Sequence, residues 1–289
     1  MRKPLQSEVP MPFLALIALA LAAGIVVLII AAQSSGVVYV GKTRSGLTVV
    51  HDDHHITGER IRVLNVAGTY QSATYLDDRW CDPVFPYHLL FDHLFEPFAG
   101  TEAPSSIAVL GGGGYAYPKH LIAHHPKVKR VDVVEIDPGI ERIARKFFFL
   151  DRLEETYGTK AGKRLRLHVD DAGAWLRRQH RKFDVIINDC FSALEPEAAF
   201  MSPEGAWLVA DHLSSNGVYL TNVVSALEGE HAGPLYATVD ALSRFFAHVW
   251  VYPCSGDEPS LRDNNVVVAT NSNHQFAGAW EWPAPKEYE

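Results

Sequence analysis

The sequence predicts an α/β fold in which a mainly parallel sheet carries helices on both faces. Residues 107–137 read as an apolar strand, four glycines, a helix, a second apolar strand and then two acids. Strand-like and helix-like segments continue to alternate after this unit, which is typical of a parallel sheet. Two later strand-like runs, 248–252 and 265–270, have no helix between them and predict an antiparallel hairpin at one sheet edge.

Composition and charge narrow the class of protein further. The 289 residues are 47% hydrophobic and 21% charged, which is typical of a globular chain with one sizeable core. The net charge of −8 argues against a nucleic-acid binder, because a surface that follows phosphates needs a basic excess. We therefore expect no nucleic-acid partner.

The N-terminal part is predicted to anchor the chain in a membrane. After a tail at residues 1–10, residues 11–32 form a run of 22 uncharged residues, about enough for a helix to cross a hydrocarbon core of about 30 Å. A cleaved secretory signal is the alternative, since Arg2 and Lys3 precede the run. Residues 33–46 contain Ser and Gly and are predicted to form a linker. The chain is thus expected to be a single-pass protein of the cell membrane.

A small antiparallel β unit is predicted at residues 47–80, ahead of the main domain at residues 81–289. Alternating polar and apolar residues indicate its strands at 47–51, 60–66 and 70–76.

The main domain is predicted to begin with a helix at residues 87–95, where apolar residues recur on one side. Its strands are predicted at 107–110, 131–137, 164–171, 183–189 and 217–224, before the terminal hairpin. Its further helices are predicted at 138–149, 173–180 and 203–214.

No metal site is predicted. Histidines and aspartates crowd residues 51–55, but this segment falls in a predicted hairpin turn without helical spacing, which favours a solvated turn. Cys81, Cys190 and Cys254 are widely spaced and form no CxxC pair. Neither a disulfide framework nor a cysteine zinc site is therefore expected.

The four glycines at 111–114 predict a nucleotide-binding loop. They follow an apolar strand directly, so the backbone can turn tightly and bring its N–H groups close to a ligand. Glu135 ends the next strand about twenty residues later, where a carboxylate can accept hydrogen bonds from ribose hydroxyls. Gly111, Gly113 and Ala116 also satisfy a GxGxxG/A pattern, so a nicotinamide-dependent oxidoreductase is an alternative.

Three acids, Glu135, Asp171 and Asp189, end three successive strands. Together with the terminal hairpin they favour a class I S-adenosylmethionine-methyltransferase-like Rossmann domain over a dinucleotide-binding one. The carboxyl ends of parallel strands meet in one crevice, where one acid can bind adenine and another can act as a base. A helix N-cap is the alternative role for each acid.

Four strings carry a family resemblance: GGGGYAYPKHL, VDVVEIDP, DDAGAWL and FDVIINDCFS. They resemble the spermidine/spermine synthase family of aminopropyltransferases, in particular its spermidine-synthase-like branch with membrane segments. The resemblance covers about residues 46–270. It implies that Gln71 contacts the donor, Gly111 and Gly113 form its loop, Glu135 binds ribose, Asp171 approaches adenine and Asp189 is the general base.

The resemblance also implies substrates and partners. The donor would be decarboxylated S-adenosylmethionine or S-adenosylmethionine itself, with no prosthetic group, and the acceptor a putrescine-like amine. A homodimer is implied, and the soluble domain would face the cytoplasm if it is a transferase. An S-adenosylmethionine-dependent methyltransferase on the same fold and a non-catalytic nucleoside-binding membrane protein are the alternatives.

This chain departs from the family pattern at three acids. The family carries Asp at the position of Gly114, Asp-Ser-Ser-Asp-Pro where residues 189–193 read DCFSA, and Tyr-His-Glu where residues 87–89 read YHL. By the resemblance, these acids would bind substrate ammonium groups.

Overall fold

A computed structural model describes residues 36–98, 104–159, 164–192, 195–196, 198–254 and 256–282. Within these ranges, no helix has both the length and the apolar character needed to cross a membrane. The N-terminal tail, residues 1–10, and the predicted transmembrane helix, residues 11–32, lie outside the described residues.

The N-terminal sheet has one strand more than predicted. It contains β1 (Val37–Thr43), β2 (Gly46–His54), β3 (Arg60–Val66) and β4 (Thr69–Tyr75), antiparallel and in that order.

Two predictions for the N-terminal sheet were wrong. The predicted linker at 33–46 contains β1, which pairs antiparallel with β2 across a tight turn and alternates in burial along its length. The predicted turn at 51–55 was also wrong for its first four residues, because β2 continues to His54 opposite Arg60 of β3. Ladder pairing with neighbouring strands overrides the local turn signals in both segments.

The main domain alternates strands and helices as expected. Its helices are α1 (Pro86–Leu90), α2 (Ala116–His124), α3 (Pro138–Phe147), α4 (Leu150–Thr156), α5 (Ala172–Arg177), α6 (Pro203–His212) and α7 (Gly233–Leu242). Two 3-10 helices lie at Phe91–Phe98 and Ala198–Met201. Its strands are β5 (Ser106–Leu110), β6 (Arg130–Glu135), β7 (Leu165–Val169), β8 (Phe183–Asn188), β9 (Phe191–Ser192), β10 (Glu195–Pro196), β11 (Leu213–Ser225), β12 (His248–Pro253), β13 (Asp263–Thr270) and β14 (Trp280–Glu281).

The large sheet has the order β7-β6-β5-β8-β11-β13-β12-β14. Strands β7, β6, β5, β8 and β11 are parallel, while β13 runs antiparallel to β11 and pairs with β12 as the predicted hairpin. The chain leaves β5 for β6 on one side and returns through β8 on the other. This reversal creates a crevice at the carboxyl ends of β5 and β8, where ligands bind in open α/β sheets.

The two faces of this sheet support separate cores. On β5, Val109 packs in one core cluster and Ala108 in the other, and Ile187 and Ile186 of β8 divide in the same way. Central strands buried on both faces are typical of parallel sheets. The crevice therefore lies at the end of strands that are buried on both faces of the sheet.

The N-terminal sheet docks against the main domain through polar and aromatic contacts. The backbone N–H of Ser45, in the turn between β1 and β2, donates a 2.7 Å hydrogen bond to Asp137 Oδ2. The ring of Tyr39 on β1 lies 5.5 Å from that of Phe147 at the end of α3. On β4 of the same sheet, Ser72 lies directly against Gly114 of the glycine loop.

Candidate active site

One cavity of about 680 Å³ lies at the carboxyl ends of β5, β6 and β8, between the main domain and β4. The sequence-predicted site residues all line it: Gln71, Gly111, Gly113, Glu135, Asp171 and Asp189. The cavity is also lined by residues that were not predicted as site residues: Tyr87, His88, Asn222 and Asn264.

Gly111 is required by a close approach of two backbone segments. Its φ is +93°, and a Cβ atom there would lie 2.4 Å from the carbonyl oxygen of Asp189. The next residue but one, Gly113, also has a positive φ of +49°. The loop therefore runs directly beside the residue predicted to be the base.

Glu135 fixes the glycine loop from the end of β6. Its Oε2 accepts hydrogen bonds of 3.0 Å from the backbone N–H groups of both Gly112 and Gly113, and its Oε1 accepts one of 2.9 Å from Asp137 N. Burial raises the pKa of the Glu135 carboxyl, while the three N–H donors oppose that rise. Because a carboxylate offers about four acceptor positions, a ribose hydroxyl could still bind beside these three donors.

Asp171 caps a helix and borders the cavity at the same time. Its Oδ1 accepts a 2.7 Å hydrogen bond from Ala174 N at the start of α5. Its neighbour Asp170 forms an ion pair with Arg178. The two roles that the sequence left open for Asp171, cavity residue and N-cap, are therefore compatible.

Asp189 follows β8 and is held by three side chains. The Tyr87 hydroxyl donates to its Oδ2 over 3.0 Å, His88 Nε2 lies 3.3 Å from the same oxygen, and Asn222 Nδ2 donates to Oδ1 over 3.2 Å. The backbone N–H of Asp189 also bonds to Leu110 O at 2.8 Å. The carboxylate is thus fixed in orientation, with 18% of its side chain exposed to the cavity.

Tyr87 and His88 enter the site from the short helix α1. Burial, followed by the nearby charge of Asp189, raises the pKa of the Tyr87 hydroxyl well above its usual value. The hydroxyl therefore keeps its proton and remains a donor to Asp189. The His88 ring lies nearly parallel to that of Tyr117, with ring centroids 6.1 Å apart.

Asn222 was missed by the sequence analysis because it lies inside a strand. It occupies the carboxyl half of β11, beside β8, and donates a second hydrogen bond of 2.9 Å to Asn264 Oδ1 on β13. A polar residue interrupting the apolar run VYLTNVV was the available signal. Asn264 needs the hairpin fold to reach the site, so no local pattern indicates it.

Gly114 packs too closely against β4 to carry a side chain in this arrangement. A Cβ atom there would lie 2.6 Å from Ser72 Oγ and 2.8 Å from Ser72 Cβ. The close packing of Ser72 on β4 therefore leaves no room for an acidic side chain at position 114.

Comparison with known protein families shows which family this chain belongs to. Residues 85–243, which hold the glycine loop, Glu135 and Asp189, match the spermine/spermidine synthase domain. This chain belongs to the spermine/spermidine synthase family. The matched segment does not include the N-terminal sheet, so Gln71 lies outside it.

Curated relatives of this family member are polyamine aminopropyltransferases. That of Erwinia tasmaniensis is 23% identical over 198 residues, which cover 64% of this chain and 67% of the relative. That of Vibrio vulnificus is 29% identical over 175 residues, covering 58% of this chain and 54% of the relative. The matched segments thus span between about half and two thirds of these relatives.

Solved structures share the fold of this family member. A probable spermidine synthase from Corynebacterium glutamicum superposes with a TM-score of 0.68 at 18% identity, covering 82% of this chain and 81% of the other. Spermidine synthase from Thermotoga maritima gives a TM-score of 0.57 at 20% identity, covering 82% and 72%. The Rossmann-like fold and the preceding antiparallel sheet are confirmed.

Proposed function

We propose that this protein transfers an aminopropyl group from decarboxylated S-adenosylmethionine to an amine, with Asp189 as the general base. One observation carries the proposal. A carboxylate held by Tyr87, His88 and Asn222 lies beside a glycine loop in a cavity that also contains the buried Glu135. Family membership and the names of the relatives, polyamine aminopropyltransferases, support the same activity.

The adenosine part of the donor would bind along the loop. Glu135 would accept hydrogen bonds from the ribose hydroxyls, and Asp171 would border the adenine, because these acids follow adjacent strands β6 and β7. Gln71 would contact the donor from β4, which lies beside the glycine loop. The electrophilic carbon beside the sulfonium would then point toward Asp189.

The chemical step is a displacement at carbon. The lone pair of the amine nitrogen forms the new C–N bond while the C–S bond breaks, and that electron pair stays on sulfur to give neutral methylthioadenosine. An alkylammonium with a pKa of about 10 is mostly protonated at neutral pH, so it must first lose a proton. Asp189 would bind the ammonium and accept this proton, and alignment of the reactants would supply much of the acceleration.

The N-terminal segment would determine where this reaction occurs. Sulfonium donors are cytoplasmic metabolites, so a helix at residues 11–32 would hold the domain at the cytoplasmic face of the cell membrane. Reporter fusions to the C-terminus would test this orientation. The homodimer implied by the resemblance would be tested by light scattering on the full-length chain.

Product formation tests the proposed activity directly. Full-length protein supplied with decarboxylated S-adenosylmethionine and putrescine should release methylthioadenosine, and Asp189→Asn should bind the donor but release far less. Absence of product with putrescine and with longer polyamines would contradict the proposal. Methyl transfer from intact S-adenosylmethionine would instead favour the methyltransferase alternative.

A further inference from the structure

A histidine and aspartate cluster lies outside the cavity, where α2 ends against the 3-10 helix Phe91–Phe98. Two groups of metal-compatible atoms share one residue, His120. The first group is Asp92, His120 and His125, and the second is Asp82, His120 and His124. Within each group, the possible ligand atoms all lie within 4.8 Å of one another.

The first group has the geometry of a small metal site. His120 Nε2 lies 2.9 Å from Asp92 Oδ2, and His125 Nε2 lies 3.7 Å from Asp92 Oδ1. Zinc binds imidazole nitrogen and carboxylate oxygen at about 2.0–2.2 Å in a tetrahedron, which sets neighbouring ligand atoms about 3.3–3.5 Å apart. The two observed distances lie on either side of this value and end on different oxygens of Asp92, so binding through one oxygen would require the carboxylate and the imidazole rings to rotate toward a common ion.

The surroundings orient these three side chains. The Tyr117 hydroxyl donates a 2.8 Å hydrogen bond to Asp92 Oδ1, as outer-shell donors do for metal-binding carboxylates. The Phe95 ring stacks on the His125 ring with centroids 3.8 Å apart and an interplanar angle of 7°. His125 also follows the last residue of α2, where the helix dipole favours a cation.

We propose that Asp92, His120 and His125 bind one divalent transition-metal ion of the zinc class. Mixed imidazole and carboxylate ligands suit such ions, and three protein ligands leave a fourth position for water. The second group is less suitable, because the side chains of Asp82 and His124 are 38% and 47% exposed. No metal site was predicted from the sequence. Asp92 and the two histidines lie in separate segments that the fold brings together.

The three proposed ligands do not line the cavity, so the ion would stabilise the elements around the cavity and would not contact the substrate. It would join α2, which follows the glycine loop, to the 3-10 helix that follows Tyr87 and His88. Tyr117 connects the two sites, because its hydroxyl bonds to Asp92 while its ring stacks on His88.

Zinc binding to the full-length protein tests the proposal. After removal of bound metal with a chelator, Zn²⁺ is titrated against a chromophoric competitor, and thermal unfolding is followed with and without Zn²⁺. We expect one Zn²⁺ to bind per protein chain and the Tm to be higher in its presence. The affinity for Zn²⁺ should be at least tenfold weaker in His125→Gln and in Asp92→Asn. His180→Gln, at an exposed histidine elsewhere, is the matched control and should bind as the wild type does.

Three results would overturn the proposal: no saturable Zn²⁺ binding, unchanged affinity in both His125→Gln and Asp92→Asn, or loss of binding in His124→Gln with retention in His125→Gln. The last result would assign the ion to the second group. Circular dichroism of the metal-free variants separates loss of a ligand from loss of fold. Because the readout is metal binding, its failure would leave the proposed transferase activity standing.

Discussion

The hydroxyl of Tyr87 donates a 3.0 Å hydrogen bond to Asp189 Oδ2, across 102 residues of sequence. The bond joins the first helix of the main domain to the end of a central strand. Asn222 donates a hydrogen bond to the other carboxylate oxygen, Oδ1, so the two bonds together fix the orientation of the Asp189 carboxylate toward the cavity.

Removing this hydroxyl should slow the reaction without unfolding the protein. Hydrogen bonds to charged groups contribute about 1.5–3 kcal/mol, so Tyr87→Phe is expected to lower kcat by about tenfold to a hundredfold. Steady-state release of methylthioadenosine measures this change. Tyr236→Phe, whose hydroxyl bonds to Leu227 O far from the cavity, is the matched control. Equal rates in wild type and Tyr87→Phe would argue against a role for this bond.

Removing the proposed base should affect chemistry more than binding. General base catalysis contributes about 10²- to 10⁴-fold, so Asp189→Asn is expected to reduce kcat within this range. Calorimetry should find donor affinity little changed, because Glu135 and the glycine loop remain. Turnover equal to that of the wild type would contradict the assignment of Asp189.

The glycine loop should not tolerate a methyl group at its first position. Gly111→Ala brings a Cβ within 2.4 Å of Asp189 O at a φ of +93°, so it should displace Asp189 and lower the free energy of unfolding by about 1–3 kcal/mol. Gly233→Ala is the control, since a Cβ there meets nothing within 4 Å. Chemical denaturation and donor binding measure both effects. A Gly111→Ala protein of wild-type stability would mean that the two segments can separate freely.

An acid at position 114 should require space on β4. Gly114→Asp alone is expected to destabilise the protein by about 1–3 kcal/mol, because its Cβ would overlap Ser72. Adding Ser72→Gly should recover part of this loss. If the acid binds the donor ammonium, as the resemblance implies, the double variant should prefer decarboxylated S-adenosylmethionine more strongly. Additive losses in the double variant would contradict steric coupling of these positions.

Stability should rise with pH because of one buried lysine. Lys119 is fully buried, its Nζ bonds to Thr74 Oγ1 and Trp80 O, and burial lowers its pKa to about 7. Between pH 7 and pH 9 the unfolded state holds a proton that the folded state has lost, so the free energy of unfolding should rise by up to about 1.4 kcal/mol per pH unit.

Lys119→Met isolates this effect, because it keeps the length of the side chain and removes the titrating group. Urea denaturation at pH 7, 8 and 9 should give a steeper rise for the wild type than for the variant. Parallel curves would show that Lys119 stays charged when buried.

Local sequence patterns predicted the parts of the site that follow strands, because parallel strands bring their carboxyl ends together. Glu135, Asp171 and Asp189 reach one cavity for this reason. Asn222 and Asn264 depend on pairing between β11 and β13, which no short-range pattern specifies. Strand β1 was missed for a similar reason, since its stability comes from the ladder with β2 and from docking on α3.

The contact between Ser45 and Asp137 joins the N-terminal sheet to the main domain, and residues of both parts line the cavity. The carboxylate that would perform the chemistry follows a strand of the large sheet, whereas Gln71 and Ser72 line the cavity from β4. Substitutions on β4 could therefore alter which sulfonium compound is accepted while the proton-transfer machinery stays intact. Substrate preference in this protein could thus drift during evolution without loss of its reaction.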